Sequence, residues 1–436
     1  MSPRPASPHP HLRLAGLGLL SLALGCVPFR PGPQEGVSPR NFHGWHDAWQ
    51  LSNGLVSVTC VAGIGGRVLD YSLGETNLLF IGRDALGARP GSRRAGPRPF
   101  FGGHFARLHP ERKWVAGAAS RLSTLVFGEY ETRPIAVQDG PLTLLLTSPP
   151  DLATRTVLKR KIELFPSSTR LRVTNTLRNA DVGPADWGIQ SVVQLKGSSR
   201  RDGITRRDDQ PAGRIRLYVP ADPRGGVRVL GERSSPGARQ WDSTSLPGIL
   251  VLRYSRQLSK AQVRPSLPWV ALSEGASGCV FVQKARCERK DILAAGPPLI
   301  PYPFVEISCF GPVATLRPGQ ETTLVEEWFA CVCGGPVLDV TEAGVVARPL
   351  SLSRGEGKLW VEGRFGVFYL GKAAVVFRDA QGKALRRLEC GPVSPLEPLV
   401  LNRQVELPRG TARIALEVSD QSGKHVGNLG VIVLGG

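Results

Sequence analysis

Helical periodicity sustained over a dozen residues is hard to find anywhere in this chain, and that scarcity constrains the fold most. In its place the sequence carries short runs of alternating apolar and polar residues, each bounded by Gly, Pro, Asn or Asp. Leu55 to Val61, Arg67 to Tyr71, Leu142 to Thr147, Thr169 to Leu177 and Ile189 to Leu195 are examples. Residues two apart share a face of a strand, so each run predicts a strand with one face buried. A parallel sheet needs crossover helices, and the chain offers none long enough, so the strands must pair antiparallel in a sandwich or barrel. The predicted class is all-β. With 436 residues, 41% of them hydrophobic, the chain is long enough for one large or two modest domains with real cores.

The first 26 residues read as a leader. Arg4 and Arg13 precede an uncharged stretch from Leu14 to Gly25 and then Cys26, and an apolar stretch that short does not span a bilayer as a stable helix. Leu22-Ala23-Leu24-Gly25-Cys26 resembles a lipobox, which implies cleavage before Cys26 and lipidation of its thiol. Ala23 stands where Leu is usual, so plain secretion is the alternative. Residues 27–42, with PFRPGPQEGVS at 28–38, read as a flexible tether. From 197 to 245 Arg, Gly, Asp and Pro dominate, as in long surface loops. A boundary falls near Gly334-Gly335-Pro336, after a strand pair formed by Val305 to Cys309 and Thr322 to Val332. The predicted domains are 43–336, a large sandwich, and 337–436, whose roughly seven short strands suit a small immunoglobulin-like sandwich.

The net charge of +19 raises nucleic acid, acidic polysaccharide or an anionic membrane as partners. No nucleic-acid-binding motif accompanies it, and export removes that ligand, so nucleic acid is set aside; acidic glycans and lipid headgroups stay compatible. Seven cysteines follow Cys26, and an exported protein permits one or two disulfides among them, with at least one thiol left over. Cys331 and Cys333 share a strand face but lack a second pair, and His43 and His46 lack a third ligand nearby, so no metal site is expected. No phosphate-binding loop, nucleophile elbow or metalloprotease helix is present, and no cofactor is expected.

Several motifs then fall in a recognisable order. Asn53-Gly54-Leu55, Gly65-Gly66-Arg67-Val68 and Asn77-Leu78-Leu79 come first. Phe101-Gly102-Gly103-His104 follows with Pro110-Glu111 and Trp114, and Val305-Glu306-Ile307, Leu316-Arg317-Pro318-Gly319 and Glu327-Trp328 close the set. From about Trp45 to Val332 the chain resembles galactose-mutarotase-like domains, the superfold of the aldose 1-epimerases, in a branch whose function is uncharacterised. The resemblance implies a large antiparallel β-supersandwich with a sugar cleft. In that family a carboxylate takes a proton from the anomeric hydroxyl while a His protonates the ring oxygen. By position Glu306 would be the base. Gln194 stands where the acid is wanted, and an amide cannot donate a proton at neutral pH; His104 is the substitute.

Three functional readings follow. The first is an exported carbohydrate-binding protein whose cleft is lined by Arg67, His104, Arg107, Gln194 and Glu306, with Trp187 or Trp114 stacking on a sugar face. The second is a sugar epimerase, or a lyase-like enzyme acting on an acidic sugar, with Glu306 and His104 as its catalytic pair. The third is a structural lipoprotein of the cell envelope without a small-molecule site. Each residue also has a plainer reading: Glu306 as a solvent-facing strand residue, His104 as a loop His bonded to backbone, the Arg residues as surface, the Trp residues as core.

Overall fold

Alternation along the chain builds the strands it predicts. The computed structural model describes residues 35–93, 100–110, 113, 123–209, 214–221, 226–230, 235–294, 302–355 and 357–434. Among them the one α-helix is the single turn Thr124–Phe127, and the architecture is all-β. Cys26, Glu111 and Trp114 lie outside the described residues. No helix among the described residues is long and apolar enough to cross a membrane.

Two large sheets face each other. The first has 12 strands, of which six concern the site: β1 (Gly103–His109), β2 (Ala185–Lys196), β3 (Val227–Leu230), β4 (Ser259–Val263), β5 (Arg289–Ala294) and β6 (Phe304–Phe310). They lie in the order β1-β2-β6-β5-β4-β3, and every neighbouring pair is antiparallel. On the far side of β1 the sheet continues through Arg67–Leu73, Val56–Val61, Trp45–Ser52 and Gly36–Phe42. This last strand corrects the expected tether. Residues 36–42 pair with Trp45–Ser52, Val37 opposite Leu51 and Phe42 opposite Trp45, because Val37 and Phe42 have apolar surface to bury there.

The second sheet has ten strands, with Glu321–Val332 near its centre between Cys279–Ala285 and Leu171–Asn179. Val305 to Cys309 and Thr322 to Val332 are therefore not a pair: after β6 the chain adds Ala314–Leu316 to the first sheet, paired with β2, and then enters the second. Between the sheets Tyr71, Phe281 and Trp328 pack edge to face at centroid separations of 5.5–6.1 Å. Edge-to-face packing of this kind adds about 1 kcal/mol per pair to the burial term.

Residues 339–433 form two four-stranded sheets around a core that includes Phe365, Phe377 and Leu416. They rest on the outer face of the second large sheet. Phe329 stacks on Phe368 at 4.5 Å, and Val280, Val282, Trp269 and Tyr218 join Val337, Val345 and Ala347 in one apolar cluster. Backbone bonds cross this contact from Val332 N to Pro395 O (2.7 Å) and from Leu370 N to Ser167 O (2.9 Å).

The outer face of the first sheet is divided. Over the strands before β1, Ile81, Ala85, Ala88 and Phe101 fold back and bury an apolar cluster with Phe42, Trp45, Val61 and Leu69. Over β1 to β3 the face is open and forms a cleft.

Candidate functional site

Register decides which side chains enter the cleft. Starting from Gln194 on β2, the partners straight across are Gly103 on β1 and Glu306 on β6, then Leu293 on β5 and Lys260 on β4. Two residues along, Phe105, Val192, Ser308, Asp291 and Gln262 form a second row, and two further on Arg107, Gln190, Phe310 and Arg289 form a third. Successive rows lie roughly 7 Å apart and point to the same side. His109 follows, opposite Gly188. Most of these side chains, from Glu306 to His109, border a cavity of about 330 Å³.

Hydrogen bonds fix the polar groups of the floor. Gln194 Nε2 donates to Glu306 Oε2 at 2.8 Å. Arg107 Nε donates to Gln190 Oε1 at 2.9 Å, and Gln190 Nε2 to Ser308 Oγ at 3.1 Å. Asp291 is shared between two cations, Lys260 Nζ at 2.9 Å and Arg289 Nε at 3.0 Å. The Arg289 guanidinium stacks 4.4 Å from the Phe310 ring centre, and His109 meets the same ring edge-on at 4.9 Å. Burial, and next the Arg289 charge, lower the His109 pKa, so this imidazole is neutral at pH 7.

Of the residues singled out in the sequence, Glu306, Gln194 and Arg107 thus share one side of the sheet, where Glu306 and Arg107 border the cavity and Gln194 is buried. Arg67 lies on the same side of the sheet but is buried beside Phe105: Nη1 donates to Gly102 O at 2.9 Å, and its guanidinium sits 4.1 Å from the Phe105 ring centre. Burial, with the Arg160 charge nearby, lowers Arg67 to about 9, so it stays cationic at neutral pH. Its place is to support the cleft floor and not to clamp a ligand.

His104 and Trp187 are corrections. Both point to the opposite side of the first sheet, because His104 is in phase with Ala106 and Leu108, and Trp187 with Ile189 and Val193. Trp187 is packed among Leu108, Ile189, Cys309 and Leu324 in the core. His104 is wholly enclosed. Its Nδ1 accepts from Arg160 Nη2 at 2.6 Å, which leaves the proton on Nε2, 2.8 Å from Glu326 Oε1 and 2.9 Å from Ser191 Oγ. Burial, offset in part by Glu326, lowers the His104 pKa. A ring held this way from both nitrogens, out of reach of solvent, has no proton to offer a ligand.

The network around His104 is the largest feature that motif reading missed. Arg160, Glu326 and Lys290 are all within the inter-sheet core. Arg160 also donates to Asn175 Oδ1 (3.1 Å) and to Gly66 O, the carbonyl of the Gly-Gly-Arg motif. Burial alone would raise the Glu326 pKa; hydrogen bonds from His104, Ser191 (2.6 Å) and Gln283 lower it instead and keep the carboxylate ionised. Lys290 Nζ has no hydrogen-bond partner among the described residues, and burial brings it down to about 7. The signal for all three was available: Arg160 is in phase with Leu158 and Ile162, Lys290 with Ile292 and Ala294, Glu326 with Leu324 and Trp328. A charged residue in the apolar phase of a strand marks a buried charge.

A disulfide joins Cys287 to Cys309 at a Cα separation of 5.7 Å, behind the wall made by Arg289 and Phe310. Cys60, Cys279, Cys331, Cys333 and Cys390 are free thiols.

Solved structures similar to this chain include two galactose mutarotase-like proteins. The one from Lactobacillus casei is 12% identical, with a TM-score of 0.41 over 64% of this chain and 99% of that one. The one from Clostridium acetobutylicum is 10% identical, with a TM-score of 0.44 over 67% and 98%. A galactose mutarotase related enzyme from Lactobacillus acidophilus is 10% identical, with a TM-score of 0.42 over 64% and 96%. No protein-family model matches the sequence, and no curated protein matches it.

Proposed function

We propose that this chain is an exported carbohydrate-binding protein, lipid-anchored at the cell envelope through Cys26, that seats a saccharide in the open cleft of its first sheet. The observation that carries the reading is the Glu306 carboxylate, held by Gln194 at the edge of a cavity that Gln190, Ser308 and Arg107 also border, all on rigid strands. Sugar hydroxyls are both donors and acceptors, and a floor of amide, carboxylate and hydroxyl groups answers both. An open cavity at this place also speaks against a purely structural body. The Cys287–Cys309 disulfide fits an oxidising compartment outside the cytoplasm.

Epimerase chemistry has less support. It needs an acid and a base on either side of one ring. Glu306 faces an amide, His104 is on the other side of the sheet, and His109 is six residues further along the strand direction, on the order of 20 Å away. Calorimetry on the full-length protein in detergent, screened over neutral and acidic oligosaccharides, is expected to find a binding saccharide whose affinity falls at least about tenfold in Glu306→Ala. Polarimetry with simple aldoses is expected to stay at the buffer rate. No binding by any saccharide, or binding indifferent to Glu306, sinks the reading.

A further inference from the structure

We infer that the saccharide is an anionic chain of several sugars, carrying carboxylate or sulfate groups that meet Arg107 and Arg289 while neighbouring hydroxyls meet Glu306; this rests on the carbohydrate reading above. The charge balance of the cleft comes first. Among the described residues, Arg107, Lys260 and Arg289 border it together with two carboxylates, Glu306 and Asp291. Both carboxylates are engaged, Asp291 by Lys260 and Arg289 together and Glu306 by the Gln194 amide. One Asp291 charge cannot balance two cations. Arg228, exposed and straight across from Gln262 on the same face, adds positive charge at the rim. The described side chains of the cleft therefore carry a net positive charge.

The arrangement of these charges is graded along the cleft. Arg107 and Arg289 share the row that holds Gln190 and Phe310, while Glu306 and Gln194 are two rows, or roughly 13 Å, away. A guanidinium presents a planar fork that suits the oxygens of a carboxylate or sulfate, and stacking on Phe310 keeps Arg289 in plane for that use. One sugar ring cannot reach both rows, so the ligand that satisfies them is a chain. Neutral His109 closes the cationic end as a hydrogen-bonding group without an opposing charge.

The test is calorimetry on the full-length protein in detergent with matched carboxylated, sulfated and uncharged galactan tetrasaccharides, and with polyaspartate as a polyanion lacking sugar. The expected result is that a charged tetrasaccharide binds at least about tenfold more tightly than the uncharged one. That advantage should shrink between about 0.05 and about 0.5 M salt. Arg107→Gln and Arg289→Gln should each remove most of it, with circular dichroism and the thermal midpoint confirming an intact fold. The carboxylated and sulfated arms say which group is read. Equal affinity for the uncharged chain overturns the inference and leaves the carbohydrate reading standing. An unaltered advantage in both variants, or polyaspartate competing as well as the charged sugar, assigns the effect to the +19 of the whole chain and also overturns it. Failure of every tetrasaccharide to bind removes both.

Discussion

Lys290 sits between the sheets with its ammonium group fully enclosed and only the field of Glu326 in its favour. In the unfolded chain its pKa is about 10.4; folding brings it to about 7. Between those values the unfolded state holds more protons, so stability rises with pH. The wild-type thermal midpoint is expected to climb from about pH 7 to about pH 8.5, below the range in which unfolded thiols and phenols ionise and the buried Cys60 and Tyr130 reverse the trend. In Lys290→Met the climb should be lost. Parallel slopes for the two proteins in scanning calorimetry would show that Lys290 is not the source. This residue also marks how far the sequence could be read. Strand phase alone puts Glu306, Gln194 and Arg107 on one face of the first sheet. It puts His104, in phase with Ala106 and Leu108, and Trp187, in phase with Ile189 and Val193, on the other, a signal that neither a Gly-Gly-His motif nor the stacking surface of a Trp carries.

At the scale of elements, β1 depends on the glycines that open it. Gly103 has a φ of +70°, and a Cβ there would lie 2.2 Å from Val68 O, a backbone atom that cannot swing aside. Gly103→Ala is expected to cost about 2 kcal/mol or more, from left-handed strain plus the displacement of Arg67–Leu73. Urea unfolding measures it, and a loss below about 0.5 kcal/mol would mean that the strand junction is softer than its geometry implies. Strand existence was legible here because alternation is a local signal. Partnership was not: β6 and Glu321–Val332 are neighbours in sequence yet belong to different sheets, and residues 36–42 look like linker until their apolar partners are known. Pairing is decided by which distant surfaces need covering, and that information is spread over the chain.

At the scale of the whole molecule, the C-terminal strands cover part of the second sheet, since Phe329, Val280, Val282 and Trp269 share one buried apolar cluster with Val337, Val345, Ala347 and Phe368. A chain ending at residue 336 is expected to expose that patch and to aggregate on size-exclusion chromatography, as large contiguous apolar surfaces do in water. A monodisperse truncated protein with the parent melting temperature would contradict this. The two large sheets, in turn, divide labour through one strand. Along β2, Gln190 and Gln194 face the cleft while Ser191 and Val193 face the inter-sheet core. On the carbohydrate reading proposed above, substitutions at the first set are expected to act on ligand binding, and substitutions at the second on packing between the sheets. A lineage built on this strand would then explore new ligands by changing every other residue, because ligand choice and foldability would occupy interleaved positions.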